Sequence, residues 1–458
     1  MVETGPNVLL IILDSARAKN ASLLGYHRET TPFLESFAET ATTYTQARAP
    51  AGRSLPSHAS IFSGLLPQEH GINDLNSKLS REANIFGQLR NRGYETGLFT
   101  DNPYLTDLDT GLSDSIDLVE NNRDLYQEGE SPSAFVEEAS LNRMAFFRRA
   151  LNSSAPGKSL LNGAAWMLKW RFPRLAPTGT VFSRGFTYAE RFEEWYTGTD
   201  RPWAACINLM DTHVPFRPGE QYDRWNTSDS RKAYKRADMD RIQDGERWKH
   251  SLLENRYDGT IRQADAVVEE IITDLRKSGE LADTFVVVTA DHGEGFGERH
   301  PVHGAPSIGH GDAVDETLLH VPLVVQSPEQ SDGVVVEDPV GLVDFPRAVE
   351  RVIDGQTDGP TFETDRTLFA GGFENNASID VAYEKHESQG VRKYVRGNQG
   401  TWTLHAPTPR ASYQVSERIP DGIADAMDSL SQESVTSEAD SAVPEPTKQQ
   451  LSALGYTE

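Results

Sequence analysis

The chain has 458 residues, 37% of them hydrophobic, and a formal net charge of −25. That length allows one large α/β domain with an appendage, and no apolar run reaches the roughly eighteen residues of a membrane span. The acid excess argues against a nucleic-acid partner, whose phosphates would be repelled, and suits a cytoplasm of very high salt where screening tolerates such a surface. Cys206 is the single cysteine, which excludes intramolecular disulfides and any thiol cluster for zinc.

The chain opens on Asn7-Val8-Leu9-Leu10-Ile11-Ile12-Leu13-Asp14, a β-branched apolar run that stops at a carboxylate. No basic segment precedes it, so it reads as a buried strand rather than a signal peptide, and a cytoplasmic location is expected. A helix is expected at 31–40, another from 54 to about 64, a third at 85–92, and a strand at 96–100. Residues 159–172 form an amphipathic basic segment. It is expected as a helix packed on the core, with a lid or a surface-seeking helix as the alternatives. Further helices are expected at 188–196 and 253–277, with strands at 203–210, 285–290 and 320–326. A helix at 344–353 and short strands follow. The segment 416–446 is acidic and poor in aromatics, which predicts a flexible linker, and 449–456 a docked terminal helix.

Three domains follow: a catalytic unit over 1–329 with a variable insert at 106–200, a small α+β subdomain over 330–415, and an acidic linker with a terminal helix over 416–458. Substrate-pocket walls are expected from 106–200 and 218–250.

The second informative run is Val286-Val287-Val288-Thr289-Ala290-Asp291-His292. Ligands of open α/β sheets sit beyond the carboxyl ends of the strands, so Asp14, Asp291 and His292 are expected at one sheet edge, around a shared cation. Ser54, in Ser54-Leu55-Pro56-Ser57-His58, has the place of a helix N-cap, where free N–H groups suit a tetrahedral anion. A serine oxygen held there beside a divalent metal becomes a usable nucleophile.

Several blocks then line up in order: Leu13-Asp14-Ser15-x-Arg17, Thr31-Pro32-Phe33-Leu34, Ser54-Leu55-Pro56-Ser57-His58-Ala59-Ser60 with Ser63-Gly64, Asp211-Thr212-His213, Tyr257-Asp258-Gly259 through Asp265, Asp291-His292-Gly293-Glu294 and His320-Val321-Pro322-Leu323. Together they resemble the sulfatase family of the alkaline-phosphatase-like superfamily. The resemblance implies an α/β/α sandwich with a mainly parallel central sheet and a small C-terminal subdomain. It also implies hydrolysis of a sulfate ester through a covalent intermediate on residue 54. Carried over, it makes Asp14, Ser54, Asp291 and His292 the metal site and Ser54 the position of a formylglycine. His213 or His310 becomes the acid beside the leaving group, and Asn102 and His58 lie near the substrate anion.

Two positions depart from the family pattern. Ser15 stands where most sulfatases carry a second aspartate, and His58 stands where they carry the arginine of the modification signature. His58 argues against conversion of Ser54 to formylglycine. Because a sulfo-serine resists hydrolysis and a phospho-serine does not, an unmodified Ser54 opens the alternative of a phosphomonoester, phosphodiester or phosphonate hydrolase, or a phosphoglycerol-type transferase. A third reading is an inactive binder of anionic glycans. A donor set with one imidazole favours Mn2+ over Ca2+ or Zn2+. A second metal near His300, His303 and His310, completed by Asp211 or Asp312, is the rival to a plain polar rim.

Overall fold

The computed structural model describes residues 5–121, 143–171, 184–227, 247–357, 359–363, 366–374, 377–386, 390–408, 411–430 and 435–439. Eight strands build the main sheet: β1 (Asn7–Leu13), β2 (Thr42–Arg48), β3 (Glu95–Thr100), β4 (Leu118–Glu120), β5 (Trp203–Leu209), β6 (Thr284–Thr289), β7 (Leu323–Gln326) and β8 (Val334–Gly341). Their spatial order is β8-β2-β7-β6-β1-β5-β3-β4, all parallel except β7. Every residue of β1 is buried, as expected of a central strand covered on both faces. Each of its large aliphatic side chains contributes about 1.5–3 kcal/mol of transfer free energy.

Helices α1 (Pro32–Phe37), α2 (Ser54–Ser63), α3 (Ile85–Asn91), α4 (Arg184–Tyr196), α5 (Arg247–Ser278) and α6 (Phe345–Ile353) flank the sheet. In α6 the buried residues Phe345, Ala348, Val349 and Val352 fall on one face at helical spacing, and that helix packs on α2. This is the α/β/α sandwich expected from the sequence.

Several elements differ from expectation. β2 has no counterpart among the expected strands because its run, Thr-Thr-Tyr-Thr-Gln-Ala-Arg, is more polar than a buried strand usually is, although six of its seven residues are buried. Assigning 330 onward to the small subdomain also needs correction. β8 pairs with β2 and α6 packs on α2, so the second sheet begins only at Leu368. That sheet is five antiparallel strands between Leu368 and Ser416.

The expected linker is partly structured. Helix Asp421–Asp428 turns Ile423 and Met427 onto the small sheet, and Thr436–Glu438 pairs with Ser77–Leu79. The expected terminal helix at 449–456 lies outside the described residues.

A buried polar cluster joins the two sheets. Glu316 accepts hydrogen bonds from Lys393 Nζ (2.8 Å) and Tyr383 Oη (2.9 Å), and Arg48 Nη2 lies 3.0 Å from its other oxygen. Burial opposes ionisation of Glu316, but Arg48 and Lys393 outweigh it and hold the carboxyl well below its usual range.

His320 beside this cluster is pushed down to about 3 by burial and by Arg48, and His70, buried under α2, is pushed down to about 4 by burial. Both fold as neutral rings. Once unfolded they take up protons near their usual value, so their contribution is complete above about pH 6.5 and shrinks as pH falls. By pH 5 each should have cost about 2 kcal/mol of folding stability. Urea midpoints at pH 7 and pH 5 will show this as a drop that His70→Gln reduces. An unchanged midpoint in the parent would refute it.

Candidate active site

Strand register brings the site together. Ile12 pairs with Thr289, so Asp14 and Asp291 leave adjacent strands at the same edge. Leu13 pairs with Leu209, which brings the following Asp211-Thr212-His213 turn alongside. Asp14, Asp291 and His292 are fully buried and each offers a ligand atom, all within 4.8 Å of one another.

Their second atoms are tied down. Asp291 Oδ1 accepts the backbone N–H groups of Ser15 (3.0 Å) and His292 (2.9 Å), while Oδ2 is buried with no hydrogen-bond partner. His292 donates Nδ1–H to the Gly293 carbonyl at 2.8 Å, which leaves the Nε2 lone pair available, 3.4 Å from Asp291 Oδ2. An orphaned carboxylate oxygen facing an imidazole lone pair is a donor set that fits a divalent cation.

Asp14 is steadied by the amides of Asn102 and Asn208, each 3.0 Å from Oδ2, and by Ser15 Oγ at 3.0 Å from Oδ1. Burial would raise its pKa, but His213, His292, His58 and the Asn208 amide together hold it down to about 2. Ser15, in the place of the family's second aspartate, therefore donates to Asp14 rather than adding a carboxylate. Its φ of 64° is a left-handed conformation that costs a non-glycine residue about 1–2 kcal/mol, and it is held by Tyr257, whose hydroxyl donates to the Ser15 carbonyl at 2.6 Å.

The Tyr257–Asp265 block thus supports the site from behind. Asp265 accepts the Phe33 and Leu34 N–H groups at the start of α1.

Ser54 is the first residue of α2, with Arg53 at the cap position, one residue earlier than expected. Its Oγ lies 3.1 Å from His292 Nε2. His58, one turn on, donates Nδ1–H to the Ser54 carbonyl at 2.8 Å, and its buried Nε2 has no hydrogen-bond partner. Ser57 Oγ donates to the Asp291 carbonyl at 2.6 Å, so α2 is pinned to the metal-ligand strand.

Around this core stand His213 and His310, their ring centroids 5.0 Å apart, with His310 4.7 Å from His292. His213 gives Nδ1–H to the Val214 carbonyl, and burial shifts it toward its neutral form. His310 Nδ1 meets buried Glu294 at 3.1 Å. Burial disfavours its protonation, but Glu294 outweighs that and raises its pKa.

The sequence-derived residues Asp14, Ser54, His58, His213, Asp291, His292 and His310 all gather here. Asn102 also arrives, but behind Asp14: Nδ2 holds Asp14, and Oδ1 accepts the Tyr104 N–H to cap helix Pro103–Thr106. It is placed to orient a ligand rather than to face an anion. Among the described residues, no second metal cluster forms around His300 and His303. Asp211 accepts from Gln263 and Gly185, Asp312 pairs with Arg53, and the two rings stack on each other 3.8 Å apart.

Sequence reasoning missed Glu294 and Asn208. Glu294 lies inside one of the family blocks, yet only its pairing with His310 gives it a role. Asn208 is an isolated polar residue in an apolar strand, and that anomaly was the available signal.

A cavity of about 330 Å3 opens beside His310, lined by His300, His303, Asp312, Ile379 and Trp402 among others. Among the described residues it lies between the 300–315 loop and the small sheet, and much of the 106–200 and 218–250 segments expected as pocket walls lies outside the described residues.

A family model described as Sulfatase matches residues 6–353. The chain belongs to the sulfatase family. Within curated proteins it is 34% identical to arylsulfatase K of Xenopus laevis over 95 residues, which is 20% of this chain and only 16% of that relative's length. The fold is similar to a phosphonate monoester hydrolase of Agrobacterium radiobacter, with a TM-score of 0.56 and 18% identity over 98% of this chain and 95% of that one. It is also similar to the C-terminal periplasmic domain of EcEptC from Escherichia coli, solved as a complex with Zn, with a TM-score of 0.52 and 15% identity over 82% and 92% of the two chains. These solved structures share the fold of this sulfatase-family chain.

Proposed function

We propose that the chain hydrolyses a sulfate or phosphate ester through a covalent intermediate on the oxygen of residue 54. The supporting observation is the 3.1 Å approach of Ser54 Oγ to His292 Nε2, at the edge of the Asp14, Asp291 and His292 cluster. Those three residues and Ser54 would hold a divalent cation, which when bound supplies positive charge against the ester's anionic oxygens and acidifies the serine hydroxyl. One imidazole among carboxylates favours Mn2+ or Zn2+ over Ca2+, with Mn2+ first.

Ser54 Oγ attacks sulfur or phosphorus, and the bond to the alcohol oxygen breaks. Glu294 accepts the Nδ1–H of His310 and favours its imidazolium form, which carries a second proton on Nε2; His310 gives that proton to the departing alcohol, which moves into the adjoining cavity. His213, shifted toward neutrality with its Nδ1–H on the Val214 carbonyl, presents Nε2 as an acceptor rather than a charge. The proton that Ser54 loses on attack passes to solvent; water then attacks sulfur or phosphorus, the bond to Ser54 Oγ breaks, and sulfate or phosphate leaves as the serine takes back a proton.

Family membership speaks for a sulfate ester. The surroundings of Ser54 favour the phosphoester branch instead, because His58 spends its Nδ1–H on the Ser54 carbonyl where the family's arginine would stand. An unconverted serine suits release of phosphate but not of sulfate.

Mass spectrometry of the peptide carrying residue 54, with parallel assays on aryl sulfate, phosphate monoester and phosphate diester, tests this directly. Unaltered serine with phosphoester turnover is the expected result. Loss of two hydrogens together with sulfate turnover would reverse the order. No turnover on any ester by cation-loaded protein would leave the anionic-glycan binder standing.

A further inference from the structure

Helices Arg143–Leu151 and Pro156–Arg171 pack on each other, with the Phe146 ring seated where a side chain at Gly163 would collide with it. Among their described side chains and those of the turn between them, Ala150 is buried and Asn152 and Ser154 are exposed, but three large apolar residues depart from the usual pattern. Ser159, Asn162 and Gly163 are buried, whereas Phe147, Leu151 and Leu161 are 47%, 48% and 50% exposed. The expected helix over 159–172 forms as part of Pro156–Arg171, and the side chains from 165 onward lie outside the described residues.

The charge of this stretch is equally out of keeping with the rest. Between Glu138 and Glu190 the chain carries eight arginines and lysines and no aspartate or glutamate, within a molecule of net charge −25. Arg148 and Arg149 are exposed directly beside Phe147.

We infer that this helical hairpin docks on an anionic lipid bilayer. Half-exposed Phe and Leu flanked by arginine match the interfacial mode of membrane binding, in which apolar side chains enter the headgroup boundary and basic ones meet lipid phosphate. The rest of the surface, being acidic, would be repelled by the same bilayer, so the hairpin also sets the orientation. Its segment is tethered at the site edge. It leaves after strand β4, which runs parallel to β1, and returns at Gly185, whose N–H donates to Asp211 at 3.1 Å, two residues before His213.

Flotation of the full chain with phosphatidylglycerol vesicles, against phosphatidylcholine vesicles, tests this without any need for turnover. Binding to the anionic vesicles at low ionic strength, declining as salt is added, is expected. R148Q/R149Q and F147S/L151S should each lower the bound fraction on the order of tenfold, with thermal melting and hydrolysis of a soluble ester unchanged. Failure to float with anionic vesicles overturns the proposal, as does binding that both variants leave intact. A self-association seen by light scattering and abolished by the same variants would overturn it too, by assigning this face to a second copy of the chain.

Discussion

Ser54→Ala should lower turnover by about four orders of magnitude or more, because removing a covalent nucleophile leaves only binding and electrostatic stabilisation. The substitution is expected to leave the fold intact. Ser54 sits at the first turn of α2, and the helix is held independently by Ser57 on the Asp291 carbonyl and by Gly64, which closes it in a left-handed conformation. Cation binding, read by titration calorimetry, should weaken but persist, since Asp14, Asp291 and His292 remain. Hydrolysis surviving within tenfold of the parent would mean that another oxygen attacks.

Asp291→Ala should abolish both cation binding and turnover. It deletes the oxygen that has no hydrogen-bond partner in the protein, and it also leaves the Ser15 and His292 N–H groups without their acceptor. Some loss of stability is therefore expected alongside, on the order of 1–3 kcal/mol for the unsatisfied donors. Asp291→Asn separates the two effects: its Oδ1 can still accept both N–H groups, so the fold should recover while cation affinity does not. Bound metal measured by mass spectrometry distinguishes the outcomes. A stoichiometric ion with normal turnover in either variant would show the site to be misassigned.

The ligand set was legible because a carboxylate closing a buried apolar strand contributes nothing to packing, so it points to a cation or a ligand at the sheet edge. Ser54 was legible only in company, since a serine at a helix start is ordinarily a cap. Asn102 was placed near the substrate anion by the family resemblance alone, but its amide is occupied by Asp14 and by the Tyr104 N–H. The Thr-rich strand β2 was invisible to an apolar pattern, and the acidic composition of 416–446 concealed the Ile423 and Met427 stripe. The helix over 159–172 was legible from its periodicity, but periodicity shows that a helix has two faces, not which one the body covers.

One consequence of the reversed strand β7 concerns how this architecture can change. Because β7 runs opposite to β6, the thirty-odd residues joining them depart from and come back to the same rim. That single excursion supplies Asp291, His292, Glu294 and His310 as well as much of the cavity wall. Residues of that excursion other than His310 can thus vary between His300 and Asp315, opposite Ile379 and Trp402 of the small sheet, while the strand anchors and the nucleophile across from them stay in place.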